Sequence, residues 1–269
     1  MAVITVSRGS FSGGKRMAEC LANLLGYRCI DRDRIVEQVA ARGVSASELL
    51  NALLKPPGLL ERFSHKRYTY LALMQAALAE EVRAGNAVYH GNAGHLLLPG
   101  GGPILRVRII APEEFRIALA SEQLGIGRHE AAARIRRYDE ERRRWTQYLY
   151  GVDWSDPALY DLIFNLERVG IEQACSVIAN MARSRCFEFT ACCQAWMDSV
   201  ALASRVKANL ATDPATSRLE FEVTAKDGRV LIRGNVTRVD EREQVARIAR
   251  ATPGVEQVTI TRPAAGAPA

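Results

Sequence analysis

The stretch ITVSRGSFSGGKRMAECLANLLGYRCIDRDRI, Ile4 to Ile35, changes grammar several times. Val3 to Val6 is a short β-branched run, and a Gly/Ser segment follows it. From about Lys15 the apolar residues Met17, Cys20, Leu21, Leu24 and Leu25 recur at helical spacing. Gly26 ends that helix, and YRCID begins a second short apolar segment that leads into a helix near Arg34. The order strand, loop, helix, strand is that of a βαβ unit. Within it Gly9, Gly14 and Lys15 satisfy GxxxxGK after a strand and at a helix start. Glycines there let backbone amides turn toward a phosphate, the helix amino terminus adds positive potential, and the lysine ammonium reaches phosphate oxygens. A bare strand-to-helix turn has the same spacing, so the loop alone leaves both readings open. Arg16 follows the lysine where Ser or Thr is usual, which removes the hydroxyl that would meet Mg²⁺.

Outward from this stretch, residues 45–85 read as helical with an interruption at Pro56, Pro57 and Gly58. NAVYHGNAG reads as a strand and a glycine turn, and ILRVRIIAP as a buried strand. Helices are predicted from about Pro112 to Leu124, from Arg128 to Tyr150 and from Gly170 to Arg185, with a short strand at YDLIFNL. Strands alternating with helices imply an α/β fold with a parallel sheet covered on both faces. From about Asp198 the order changes to helix (Val200 to Leu210), strand LEFEVTAK, turn Asp227-Gly228, strand RVLIRGNV, helix (Val239 to Arg250) and strand VEQVTITR, which predicts a second domain. Gly234 is assigned to a bulge. The segment SRCFEFTACCQAWMDS is too rich in bulky apolar residues for a flexible linker and is expected to pack.

The chain has 269 residues, 48% hydrophobic and 25% charged, with a net charge of +6. These values indicate a globular protein of one to two domains with anionic partners, and exclude a fibrous class. No apolar run reaches the roughly 18 residues of a membrane span, and the start lacks a secretory signal, so the cytoplasm is the expected compartment. Six cysteines without CxxC pairing read as buried small hydrophobes, and no metal site is expected. His65, His90, His95 and His129 show no ligand spacing. The aromatic group Trp145, Tyr148, Tyr150, Trp154 and Tyr160 is assigned to packing rather than to base stacking. The basic run GRHEAAARIRRYDEERRRW carries interleaved acids, as a solvated helix face would.

Several segments in order, ITVSRGSFSGGKRMAECLANLLGYRCIDRDRI, LRVRIIAPEEFRIALASEQLGI, ARIRRYDEERRRWTQYLYGVDWSDPALYDLIFN and VGIEQACSVI, together resemble the cytidylate kinase-like family over roughly residues 1–182. The resemblance implies a P-loop kinase-type parallel sheet and ATP- and Mg²⁺-dependent phosphoryl transfer to a pyrimidine nucleoside monophosphate such as CMP or dCMP. It makes Gly9, Ser10, Ser12, Gly13, Gly14, Lys15 and Arg16 the ATP and phosphate contacts, and Asp31 and Arg137 the acceptor contacts. Lys15, Arg142 and Asp139 are the catalytic candidates, the last two from the lid pattern YDEER, in which an arginine neutralises charge on the transferred phosphoryl group. A solvated face remains the alternative for Arg142, and a cap for the helix starting near Arg32 the alternative for Asp31. Gly91-Asn92 stands where the family commonly has Gly-Arg.

The stretch from Ala201 to Ile260 resembles the BON domain, with Val230, Ile232, Val245, Ile248 and Ala249 as its inward stripe. The partners open to such a module are a small ligand, a protein or a phospholipid surface, and no nucleic acid is expected. The domain reading is 1–185 kinase-like, 186–197 junction, 198–262 BON-like and 263–269 disordered tail. An active nucleoside monophosphate kinase with an appended regulatory module is the first functional expectation. A nucleotide-binding regulator without transfer chemistry, signalling through the second domain, is the alternative that Arg16 and Asn92 motivate.

Overall fold

The structure, a computed structural model, describes residues 2–41, 44–45, 47, 66–91, 94–98 and 102–262. In chain order the elements are β1 (Val3–Arg8), α1 (Gly14–Leu25), β2 (Arg28–Asp31), α2 (Arg32–Ala40), α3 (Lys66–Val82), β3 (Ala87–His90) and α4 (Gly94–Leu97). They continue with β4 (Ile104–Ile110), α5 (Glu113–Leu124), α6 (Arg128–Tyr150), β5 (Leu162–Asn165) and α7 (Ile171–Ala182). The last are α8 (Ala191–Thr212), β6 (Phe221–Lys226), β7 (Arg229–Gly234), α9 (Val239–Arg250) and β8 (Gln257–Thr261). His65, Asn92, the Pro56-Pro57-Gly58 interruption and the tail from 263 lie outside the described residues. The described residues form two compact units, one within 1–40, 44–56 and 85–189, the other within 41–43, 57–84 and 190–269.

The first unit is built on a five-stranded sheet in the order β2-β3-β1-β4-β5, with every neighbouring pair parallel. The first βαβ crossover passes over β3, because β1 pairs with β3 and β4 rather than with β2. Central β1 is buried on both faces: Val3, Ile4 and Val6 are fully buried, and Thr5 and Ser7 nearly so, as a strand covered on both sides requires. Met17 and Leu21 of α1 pack with Ala174, Cys175 and Ile178 of α7 against it. Gly26 closes α1 in the left-handed region, φ 67°, while Leu24 turns outward. The chain moves from β1 toward β2 on one side and toward β4 on the other, which opens a crevice at the carboxyl ends of the central strands.

The second unit is a three-stranded sheet, β6-β7-β8, antiparallel and then parallel. Asp227 and Gly228 both have positive φ, 47° and 74°, so a two-residue loop joins β6 and β7. Val230, Ile232, Val245, Ile248 and Ala249 are buried together with Leu202, Val206 and Leu210 of α8. Gly234 does not make a bulge. The ladder continues through Phe221↔Gly234, and a Cβ at Gly234 would come within 2.6 Å of the Phe221 ring. Helix α8 begins nine residues before the expected Val200, because Thr190 caps it by accepting from the Cys193 amide. CCQAWM is therefore a helical face. Cys192 and Cys186 are exposed and only Cys175 of the six cysteines is buried, so the expectation of buried thiols fails for most of them.

This unit also contains α3, which the sequence places between β2 and β3. Tyr70, Leu73, Met74 and Leu78 of α3 are buried. The Tyr68 hydroxyl donates to the Phe221 carbonyl (2.9 Å) and accepts from the Phe221 amide (2.8 Å), closing backbone groups on the outer edge of β6. Thr69 Oγ1 donates to Ala211 O at 3.0 Å.

Candidate active site

Arg8, Asp31 and His90 stand at the carboxyl ends of β1, β2 and β3, where they line a pocket of about 1000 Å³. The loop after β1 forms one wall of it. Gly13, φ 82°, turns the chain into α1 as its cap residue. Phe11, φ 57°, holds a left-handed conformation unusual for a side-chain-bearing residue, and its ring packs on the apolar cluster of Ile117 and Ile135 between α5 and α6. Ser12 is fully buried and its Oγ donates to Gly9 O (2.9 Å) and Ile109 O (3.4 Å), so that hydroxyl braces the loop from behind. Arg116 Nε donates to Ser10 O at 2.8 Å. At Gly14 an added Cβ would meet Cβ and Cδ of Arg8 at 2.6 Å, so this glycine clears the path of the arginine stem across the start of α1. At Gly9, by contrast, the nearest atom to such a Cβ is 3.6 Å away. Lys15 and Arg16 follow at the pocket wall, with Lys15 side chain 64% exposed and only loosely paired to Glu19 at 3.9 Å.

Helix α6 supplies the opposing residues. Its outer face is the solvated one expected from the interleaved charges, with Arg134–Glu130 at 3.1 Å and Arg144–Glu140 at 2.7 Å. Arg142 belongs to the other face: its Nη1 donates to Arg8 O at 2.7 Å and its guanidinium lies 4.9 Å from the Trp154 ring. Burial, with help from Arg8, Arg116 and Arg32 and against Asp139, pushes the Arg142 pKa down to about 10, which keeps it charged near neutrality. Arg137 also lines the pocket, 3.8 Å from Glu141. Asp139 does not line it; its Oδ2 holds Arg116 Nη2 at 2.6 Å, and through Arg116 it braces the loop at Ser10. Asp31 serves in two ways, as a pocket residue and as a cap whose Oδ1 accepts from the Arg34 amide at 2.7 Å.

Arg8, Arg32, Arg116, His90 and Trp145 were not singled out as site residues in the sequence. Arg8 precedes the first motif glycine, and Arg116 lies on a distant helix without a motif. Burial and then Arg8 lower the His90 pKa, so its ring is neutral at pH 7. The pocket is lined by six cationic side chains (Arg8, Lys15, Arg16, Arg32, Arg137, Arg142) and three acidic ones (Asp31, Asp33, Glu141), an excess that favours an anion. Among the described residues no three His, Cys, Asp or Glu side chains converge as a metal site. Arg16 stands in the usual hydroxyl position, so no hydroxyl follows Lys15 to meet Mg²⁺, while Asp33 lies 3.2 Å from Arg32 and Glu141 3.8 Å from Arg137. Away from the pocket, His129 is exposed, and His95 is buried, with both ring nitrogens unpartnered among the described residues and its ring 4.7 Å from that of Tyr160. Trp154 and Tyr160 are buried as packing aromatics, whereas Tyr148 is 43% exposed.

A parallel sheet with β1 at its centre, a glycine loop opening α1 and a cation-lined crevice at the strand ends define a P-loop kinase-like fold. Residues 3–168 match the cytidylate kinase-like family and residues 198–261 match the BON domain. The chain belongs to the cytidylate kinase-like family and carries a BON domain behind it. A cytidylate kinase of Ignicoccus hospitalis is 28% identical over 184 residues, covering 67% of this chain and 99% of that protein. A cytidylate kinase of Staphylothermus marinus is 25% identical over 181 residues, covering 66% of this chain and 94% of that one. An uncharacterized protein from Eubacterium ventriosum superposes with a TM-score of 0.54 at 15% identity, over 69% of this chain and all (100%) of its own, and supports the fold. Among the described residues no helix is long and apolar enough to cross a membrane.

Proposed function

We propose that the first unit transfers the γ-phosphoryl group of ATP to a pyrimidine nucleoside monophosphate, CMP or dCMP first, and that the BON unit is its binding and regulatory module. The observation that carries this reading is the cation-lined pocket, in which Lys15 of the loop and Arg142 of α6 both take part. An oxygen of the acceptor monophosphate attacks the γ-phosphorus, the bond to the β,γ-bridging oxygen breaks, and ADP leaves with the electron pair. The acceptor is already anionic near neutral pH, so positioning and charge stabilisation carry the step without a strong general base. Lys15 and the loop amides hold the donor phosphates, Arg142 neutralises charge on the transferred group, and Asp31 and Arg137 face the acceptor. Mg²⁺ enters with ATP as one substrate complex, since Arg16 stands where the hydroxyl ligand is usual.

The test is coupled ADP release with MgATP over CMP, dCMP, UMP and AMP, wild type beside Lys15→Ala. Acceptor-dependent turnover that falls by about a hundredfold or more in the variant is expected, the scale of losing a key charge stabiliser. The presence of Arg16 in place of a hydroxyl favours a second reading, a nucleotide-binding regulator. ATP or CMP binding by calorimetry without turnover on any acceptor is the outcome that selects it.

A further inference from the structure

Helix α6 carries seven arginines, and all but one are matched with an acid. Six of them have a carboxylate no farther than 3.8 Å. Arg142 is the exception: among the described residues it forms no ion pair, and Oδ2 of Asp139, one turn before it, is taken by Arg116 at 2.6 Å. What holds Arg142 is neutral. Its Nη1 donates to the Arg8 carbonyl at 2.7 Å, and its guanidinium lies over the Trp154 ring, 4.9 Å from the centroid. A carboxylate cancels the charge it anchors, whereas a carbonyl dipole and a ring face anchor a guanidinium and leave its charge in place. Trp154, 8% exposed, is itself fixed from behind. Its carbonyl accepts from Arg108 Nη1 at 2.6 Å and from the Tyr160 hydroxyl at 2.7 Å, and that hydroxyl lies 3.3 Å from Ser7 Oγ on β1. The Arg108 guanidinium also lies 4.4 Å from the indole centroid. Around Trp154 the chain is set by local turns: Asp153 Oδ1 accepts from the Ser155 amide (2.8 Å) and hydroxyl (2.7 Å), and Asp156 Oδ1 accepts from the Ala158 amide at 2.8 Å. Gly151, φ 65°, ends α6 and turns the chain back, so that the indole meets Arg142 on the helix just completed. Arg142 lines the pocket, whereas Trp154 and Arg108 do not.

We infer that Trp154 is a positioning residue: it holds Arg142 at the pocket wall without neutralising it, which leaves the charge of the guanidinium to the anionic group that is transferred. The inference rests on the proposed transfer reaction for the identity of that group and adds the residue that keeps Arg142 ready for it. Trp154 acts only through Arg142. An acid in its place would anchor the guanidinium as firmly, but each turnover would then have to break that ion pair.

The experiment is a double-mutant cycle on the full chain: wild type, Trp154→Leu, Arg142→Gln and the double variant, with Trp154→Phe beside them, each first checked for a cooperative melting transition. ADP release gives kcat and KM for MgATP and for the acceptor that turns over. Trp154→Leu is expected to lower kcat about five- to thirtyfold, the range of a desolvated cation–π contact, with both KM values within about threefold. Trp154→Phe, which keeps a ring face, should recover most of the loss. In the Arg142→Gln background Trp154→Leu should cost less than about twofold, because the group it positions is gone. A packing role alone costs the same in both backgrounds, and that additivity overturns the inference, as does wild-type kcat in Trp154→Leu. Should Trp154→Leu fail to fold, Trp154→Phe takes its place in the cycle, with an expected loss of about two- to threefold that vanishes beside Arg142→Gln. A wild type without turnover on any acceptor removes the transfer reading and moves the same cycle to ATP affinity by calorimetry. There, coupling between the two substitutions keeps the positioning role and additivity removes it. A wild type that binds neither ATP nor CMP removes both.

Discussion

His95 makes the first unit sensitive to acid in a way that can be worked out. Its ring is buried on α4, tilted 49° against Tyr160, with no hydrogen-bond partner for either nitrogen among the described residues. Burial, and then Arg106 and Arg108 of β4, lower its pKa from 6.5 to about 4. Below pH 6.5 the unfolded chain therefore binds a proton that the folded unit refuses. Stability is intact above 6.5 and is lost as pH falls through about 4, and a one-proton difference costs about 1.4 kcal/mol per pH unit. Over the whole interval the loss is about 3 kcal/mol, a sizeable share of a domain's typical stability. His95→Phe keeps an aromatic ring against Tyr160 and removes the proton. The assay is urea unfolding from pH 7 to 4.5, followed by Trp145 and Trp154 in a Trp196→Phe background so that only the first unit is read. Whatever the offset between the two proteins at pH 7, it should move by about 2–3 kcal/mol in favour of the variant by pH 4.5. His90, also lowered, titrates in both proteins and cancels from the difference. Parallel stability curves, or a His95 ring that titrates near 6.5 by NMR, would refute the reasoning.

Three further outcomes test the packing around the site and the second unit. Gly14→Ala forces a methyl into the Arg8 stem and should cost about 1–3 kcal/mol by overpacking, read in the urea midpoint of the first unit. Asp139→Asn weakens the charge-assisted hold on Arg116 and loosens the loop at Ser10; ATP affinity by calorimetry should fall more than CMP affinity. Tyr68→Phe removes both bonds to the Phe221 backbone and should destabilise the second unit by about 1–3 kcal/mol, read in the urea midpoint of Trp196 with Trp145 and Trp154 replaced by Phe.

The sequence was most legible where the cause is local. Gly26, the Asp227-Gly228 turn and the limits of Arg128–Tyr150 and Val239–Arg250 follow from backbone chemistry within a few residues, and the structure has them where expected. The glycine loop between β1 and α1 is legible for the same reason. Gly234 was misread because its requirement is the ring of Phe221 on a paired strand, which resembles a bulge signal in sequence alone. Arg116 and Asp139 meet across 23 residues, and Arg8 and Arg142 across 134. No spacing rule connects such positions, so the bracing of the loop and the hold on Arg142 could be read only in three dimensions. Periodicity likewise shows residues near 70 to be helical without showing what they pack on. The answer for Tyr68 lies 153 residues later, at Phe221.

That separation bears on how the protein is made and how it can be divided. While the chain is being synthesised, α3 emerges between two strands of the first sheet long before β6 exists, and its face of Tyr70, Leu73, Met74 and Leu78 must wait for α8, which begins at Ala191. A chain stopped after residue 189 would keep α3 and lose α8 and the β6–β8 sheet of its unit. A gene segment encoding residues 190–269 would, conversely, carry the BON sheet to a new host without the helix that closes its edge. The two units interleave in sequence, so a cut between residues 189 and 190 parts α3 from the helix and sheet of its own unit.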